Sequence, residues 1–264
     1  MRFICIFLFL LYSTLYAYVD SDMDGVIDAQ DQCPNTLLTD LVDTTGCTVE
    51  SLISPHHYDI IVGTDYIYDD DKTFANTLQM DYYNNDFSLS LNTSYFHTTS
   101  TNDTQTGFYD TYLSGTYALN LQKDTQLHIS AGIVLPTYQS QLTSNKIDYF
   151  MGLDISYTQA DWNFFGAYSY TIIGDEVIVE NNVTSQNTYA LTLGAGYYLS
   201  ADFYMNSSYN LSSSIYSDEE ALQTLSFYGF YTINEKYFTT FSYVYGLSSS
   251  ASKHAISFKI GYLF

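Results

Sequence analysis

The sequence predicts an all-β protein: a transmembrane antiparallel β-barrel of about twelve strands behind a short N-terminal calcium-binding segment. Three observations carry this. The last strand runs to the final residue with one face almost wholly aromatic or apolar. Period-two alternation recurs in about twelve segments after residue 56. The chain holds 29 Tyr and 17 Phe in 264 residues against only 3 Pro, more aromatic side chains than a soluble domain needs. Lipid-facing barrels use them as girdles at both membrane interfaces. After the N-terminus no apolar run reaches the ~20 residues of a membrane helix.

The charge narrows the partners. The net charge is −22, with seven Lys and Arg in total. That argues against nucleic acid and anionic membrane surfaces, and is compatible with cations. Many of the acids fall in loops, where water solvates them.

From the N-terminus, Met1-Arg2 carries positive charge, Phe3 to Leu11 is nearly all apolar, and Leu15-Tyr16-Ala17 ends on a small residue. This reads as a signal peptide over residues 1–17. Cys5 lies inside the apolar run without a lipoprotein-type context. Cleavage leaves Cys33 and Cys47, and an even pair in an exported protein most simply forms one disulfide.

Residues 18–55 hold the sharpest local motif. Asp20, Asp22, Asp24, Asp28 and Asp31 fall at positions 1, 3, 5, 9 and 12 of a twelve-residue frame, with Gly25 at position 6. This is the spacing of a calcium loop, in which alternate carboxylates converge on one hard cation and the glycine permits the sharp turn. The backbone carbonyl of Val26 would fill position 7. Asp31 is followed at once by Gln32-Cys33-Pro34, so no long helix can leave the loop. A solvated acidic linker without metal is the alternative, although five uncompensated carboxylates would repel one another.

The stretch from Asp20 to Thr36, with Val42-Asp43 and Gly46-Cys47 beyond it, resembles a thrombospondin type 3 repeat, a module that also occurs in bacterial outer membrane proteins related to outer membrane protein A. The resemblance implies calcium ligands at Asp20, Asp22, Asp24, Asp28 and Asp31, and a bridge from Cys33 to Cys47. It covers about thirty residues. There is one repeat where many relatives carry several, and no peptidoglycan-binding domain follows it, so wall anchoring does not carry over.

Residues 56–264 read as the barrel. Alternating segments lie near 56–68, 74–83, 86–97, 107–120, 125–135, 147–158, 162–173, 187–199, 202–213, 220–233, 237–247 and 252–264. Most are long enough for a tilted strand to cross a bilayer. Tight turns, such as Asn84-Asn85 and Ser200-Ala201, alternate with longer connections at 98–106, 136–146, 174–186 and 214–219. Short inner turns and longer outer loops are the outer-membrane pattern. An even strand count then puts both termini in the periplasm. The apolar faces read Tyr149, Met151, Leu153, Ile155, Tyr157 in one strand and Tyr237, Thr239, Phe241, Tyr243, Tyr245 in another. The opposite faces are mostly Gly, Ser, Ala and Thr, which leans toward an open channel. A soluble sandwich would alternate as well, but would not place tyrosines at both edges of so many segments.

The closing strand carries His254, Ile256, Phe258, Ile260, Tyr262 and Phe264 on one face, with Ala255, Ser257, Lys259, Gly261 and Leu263 on the other. It resembles the C-terminal signal strand of Gram-negative outer membrane barrels. That implies residence in outer membrane lipid and recognition by the barrel assembly machinery through the strand ending at Phe264.

The lumen candidates are Asp59, Asp65, Asp81, Asp148, Asp154 and Lys259. With acids in excess, a water-filled pore so lined favours cations. In a filled lumen the acids would instead pair with Lys259 or tyrosine hydroxyls. His128-Ile129-Ser130 superficially matches the His-x-Ser of outer membrane phospholipase A, but Ala131-Gly132 stands where that family has Asn-Gly, and both side chains face the lumen by alternation. No catalytic residues are expected, and Ser130→Ala would silence a true lipase. His56 and His57 are expected to precede the first strand as interfacial residues, since neighbours on a strand cannot face one ligand point. The functional expectation is a narrow porin-like channel or small-solute transporter with a periplasmic calcium segment. The alternative is a structural or adhesion anchor whose calcium segment meets a periplasmic partner.

Overall fold

The computed structural model describes residues 20–22, 24–28, 30–36, 40–51, 56–69, 71–100, 104–138, 146–174 and 185–264. The expected signal peptide lies outside them, as do residues 101–103, 139–145 and 175–184 of three long connections. The chain divides into two units, Met1–Pro55 and His56–Phe264.

The first unit contains β1 (Asp40–Val42) and β2 (Thr48–Ser51), an antiparallel pair with an irregularity between Leu41 and Val42. Its turn is built by Asp43, whose carboxylate accepts from the Thr45 amide at 2.7 Å, the Thr45 hydroxyl at 2.5 Å and the Cys47 amide at 3.3 Å. Gly46 takes φ +77°, a left-handed conformation that favours glycine. Cys33 and Cys47 form the disulfide, with Cα atoms 5.1 Å apart.

The second unit is one antiparallel sheet closed on itself. Its strands are β3 (His56–Tyr68), β4 (Lys72–Asn84), β5 (Phe87–Thr99), β6 (Thr104–Phe108), β7 (Thr111–Gln122), β8 (Thr125–Leu135), β9 (Asp148–Gln159), β10 (Trp162–Ile172), β11 (Thr188–Ser200), β12 (Phe203–Ser212), β13 (Leu222–Thr232), β14 (Tyr237–Gly246) and β15 (His254–Leu263). Strands adjacent in sequence pair as hairpins, except that β6 and β7 both pair with β5, and β15 pairs with β3 to close the ring. Closure is completed where Tyr58 and Phe264 exchange backbone hydrogen bonds of 2.8 and 3.0 Å. The N-terminal start of β3 and the chain end therefore share one rim. Closure removes the free edges of an open sheet, the condition for spanning lipid with strands.

The expected fourth segment, 107–120, is corrected. It divides into β6 and β7, which occupy one place in the ring. Tyr95 pairs with Phe108, and Asn92 with Tyr112. Between them the Tyr109 amide bonds the Ser94 carbonyl at 2.9 Å. Three residues of one strand thus oppose two of its neighbour, a β-bulge. Counting β6 and β7 as one bulged strand, the barrel has twelve among the described residues.

The histidine expectation is corrected too. His56 and His57 are the first residues of β3. They stack on Tyr82 and Tyr83 of β4, with ring centroids 5.9 and 4.4 Å apart. Cross-strand aromatic contact draws them into the ladder.

Candidate functional site

The two faces of the barrel follow from register. Tyr149, Met151, Leu153, Ile155 and Tyr157 of β9 are each 43–58% exposed, and Val62, Phe227, Phe241, Ile256 and Phe258 lie on the same outer face. The alternate residues face inward. On β3 and β4 these include Asp59, Asp65 and Asp81, with Asp59 directly opposite Asp81. On β9 they are Asp148 and Asp154, and on β15 Lys259.

Most inward polar groups are tied to neighbours across the strands. Thr192 donates to Asn210 at 2.9 Å, and Asn210 to Ser226 at 2.8 Å. The Tyr204 hydroxyl donates to Asn163 at 3.1 Å. Four of the five acids have hydrogen-bond partners. Asp65 accepts from Thr77 at 2.6 Å, Asp81 from Gln79 at 2.7 Å, Asp148 from the Gly174 amide at 2.7 Å, and Asp154 meets His128 Nδ1 at 3.1 Å. Among the described residues no carboxylate lies within ion-pair distance of Lys259, whose stem lies over Gly63. The pairing with Lys259 or tyrosine hydroxyls that a filled lumen would bring is not seen among the described residues.

The small inward residues do not by themselves set the width of the bore. Inward glycines are floors for inward rings. A Cβ on Gly132, Gly194, Gly196 or Gly261 would run into Phe150, Phe165, Tyr204 or Phe238 respectively. Each glycine creates the space that its neighbour's ring fills, so the bore is narrower than the small residues suggest. The missed signal was in the sequence: inward Phe and Tyr recur one strand away from inward Gly. What remains open includes a cavity of about 520 Å³ lined by Asp59, Asp81, Tyr83, Tyr228, Phe238 and Lys259 among others.

His128 and Asp154 supply two members of a hydrolytic triad, but no hydrogen bond joins His128 to Ser130; the space above Gly152 is where the Ser130 hydroxyl sits.

In the first unit, carboxylate oxygens of Asp20, Asp22 and Asp24 lie within 4.8 Å of one another. Gly25 turns the chain at φ +96°. The Gly25 amide donates to Asp20 at 3.1 Å, and the Val26 amide to Asp24 at 2.8 Å. Desolvation pushes the Asp22 carboxyl up, but backbone donors led by the Thr36 amide, at 2.8 Å, outweigh it and hold the group below its ordinary value. Oδ1 of Asp20 and Oδ2 of Asp24 are buried without a hydrogen-bond partner. Buried anionic oxygens left without donors are what a hard cation would satisfy, so the donor set fits calcium. Asp31 comes close as well: Gly46 Cα packs against its carboxylate, and a Cβ there would lie 3.1 Å from Asp24 Oδ2. Asp28 points elsewhere, accepting from the Ser21 amide and hydroxyl at 2.7 Å each. Asp31 also caps the Cys33 amide at 2.8 Å.

The fold and this lumen define a class, a closed antiparallel β-barrel of twelve strands with a polar inner face and an apolar outer one. Among solved structures the chain is similar to the NanC porin, with TM-score 0.56 and 16% identity over 78% of this chain and 98% of that one. It is also similar to the KdgM porin, with TM-score 0.54 and 12% identity over 77% and 99%. The translocator domain of the autotransporter NalP from Neisseria meningitidis aligns with TM-score 0.52 and 9% identity over 80% and 89%. At these identities the likeness is one of fold. The sequence matches no protein-family model and no curated protein.

Proposed function

We propose that the chain is a Gram-negative outer membrane channel for small solutes, selective for cations, with both termini periplasmic and a calcium-binding segment ahead of the barrel. One observation carries the selectivity. Five inward carboxylates face a single inward lysine, and that lysine has no carboxylate within ion-pair distance among the described residues. In a low-dielectric bore such an excess of negative charge lowers the energy of a passing cation and raises that of an anion. The inward rings keep the passage narrow, which fits small solutes. In the N-terminal segment calcium would be held by Asp20, Asp22 and Asp24, with Asp31 nearby. Bound there, it supplies charge compensation and stiffness.

The test is the reversal potential of the refolded mature chain in a planar bilayer under a salt gradient, with calcium and then with chelator. Discrete steps with cation preference are expected, and Asp81→Asn should reduce that preference. A folded barrel that stays silent would instead support a second reading, favoured by the glycine-seated rings: a filled barrel serving as an anchor, with the calcium segment meeting a periplasmic partner.

A further inference from the structure

We infer that the barrel contains a subsite for a small organic cation bearing an ammonium or guanidinium group, held by Asp59 and Asp81 beneath the rings of Tyr228 and Phe238. The idea rests on the channel reading in one respect only: the lumen is the route by which the ligand arrives.

Asp59 and Asp81 are cross-strand neighbours, 8% and 6% exposed. Opposed residues of an antiparallel pair stand about 5 Å apart, where like charges repel. Gln79 donates to Asp81 at 2.7 Å, but Oδ1 of Asp59 is buried with no donor at all. A carboxylate that is more than nine-tenths buried and unpartnered costs folding free energy unless a cation or proton meets it. The native groups that could meet it are His57, two residues away on the same face of β3, and Lys259, which lines the same cavity; neither lies within ion-pair distance of either acid.

The cavity's shape and lining select the kind of cation. At about 520 Å³ it falls in the size range of small-molecule sites. Tyr228 of β13 and Phe238 of β14 complete its wall. Carboxylates in a cavity that aromatic side chains also line suit an organic cation, which gains charge-assisted hydrogen bonds and apolar contact beside them. A bare divalent metal asks for something different, six or more converging oxygens for calcium. Among the described residues the grouping of three or more acids that could hold a metal is Asp20, Asp22 and Asp24, in the other unit. Asp59, Asp65 and Asp81 all line the cavity but form no such grouping.

The experiment is calorimetric titration of the refolded full chain with agmatine, a small dication carrying both groups, with adipate as an anion of similar length. Saturable 1:1 binding of agmatine and none of adipate is expected. Asp59→Asn and Asp81→Asn should each weaken agmatine about tenfold or more, Tyr228→Leu should weaken it severalfold, and Asp161→Asn in a distant turn should leave it unchanged. Heat-dependent gel mobility reports whether each variant has folded, and Asp81→Asn reads the site if Asp59→Asn does not fold. Equal agmatine affinity in wild type and both aspartate variants would overturn the subsite. So would binding of calcium, but not agmatine, that depends on Asp59. The channel is scored separately: a silent barrel that still binds agmatine defeats conduction and leaves the subsite standing, whereas a conducting barrel without agmatine binding does the reverse.

Discussion

The two units both use aspartates, and they use them in opposite ways. In the N-terminal segment the acids organise the chain. Asp24, Asp31, Asp28 and Asp43 each accept a backbone amide of a nearby residue, so the turns exist because the carboxylates are there. In the barrel, the ladder fixes the acids. Asp59 and Asp81 are opposed because their strands pair in that register, with no local bond drawing them together. A segment with two short strands cannot bury enough apolar surface to hold itself, and relies on covalent and ionic links. A closed ladder of twelve strands can hold charges that repel. Removing an acid should therefore unmake structure in the first unit and change chemistry in the second.

The largest test of that contrast is the disulfide. Replacing Cys33 and Cys47 by Ser opens a loop with a sequence separation of 14. The expected loss is ~3 kcal/mol, confined to the first unit. Limited proteolysis should show early cleavage before residue 56 while the barrel's heat-dependent gel mobility stays unchanged. Loss of both together would break the comparison.

Next comes the seating of rings on glycines. Gly261→Val places methyl groups where the Phe238 ring lies. Overpacking of this kind costs about 2 kcal/mol. The urea midpoint of the barrel in detergent should fall, and the resistance of the first unit to limited proteolysis should not.

A smaller effect is expected at His128 and Asp154, which meet at 3.1 Å with side chains 34% and 39% exposed. His128→Ala should cost no more than ~1 kcal/mol, read from the same denaturation curve. A larger loss would mean that the barrel, too, depends on its acids for structure.

The smallest is a pH effect on the turn at Asp43. Hydrogen bonds from the Thr45 hydroxyl and amide lead the causes that hold its carboxyl below the ordinary 3.8. A depressed folded value means the folded state binds the proton more weakly than the unfolded chain. The stabilisation is present above pH 3.8 and is lost as pH falls through the lower folded value. The protection of the Thr45 and Cys47 amides, measured as exchange relative to an unstructured chain at the same pH, should fall on acidification below that point and be constant between pH 5 and 8, while Asp43→Asn should remove the acid-dependent step.

Much of the barrel could be read directly. The expected segments 125–135 and 56–68 coincide with β8 and β3, and 162–173 and 237–247 end within a residue of β10 and β14. Alternation is a local property, and an apolar outer face with a polar inner one imposes it on every strand. The bulge at Tyr109 was not legible, because one extra residue in a strand leaves the alternation intact on either side of it. The acids of the calcium frame were legible as a set, yet three of them gather while Asp28 turns to Ser21, a choice among acceptors that spacing cannot make.

The sequence by itself determined the class of object: period-two faces, strand lengths, turn positions and the last strand all follow from residues near one another in the chain. Tertiary structure alone decided the bore. Which rings lie over which glycines, that Asp59 faces Asp81, and that Lys259 stands apart from both depend on the register between strands, and register is a property of pairs.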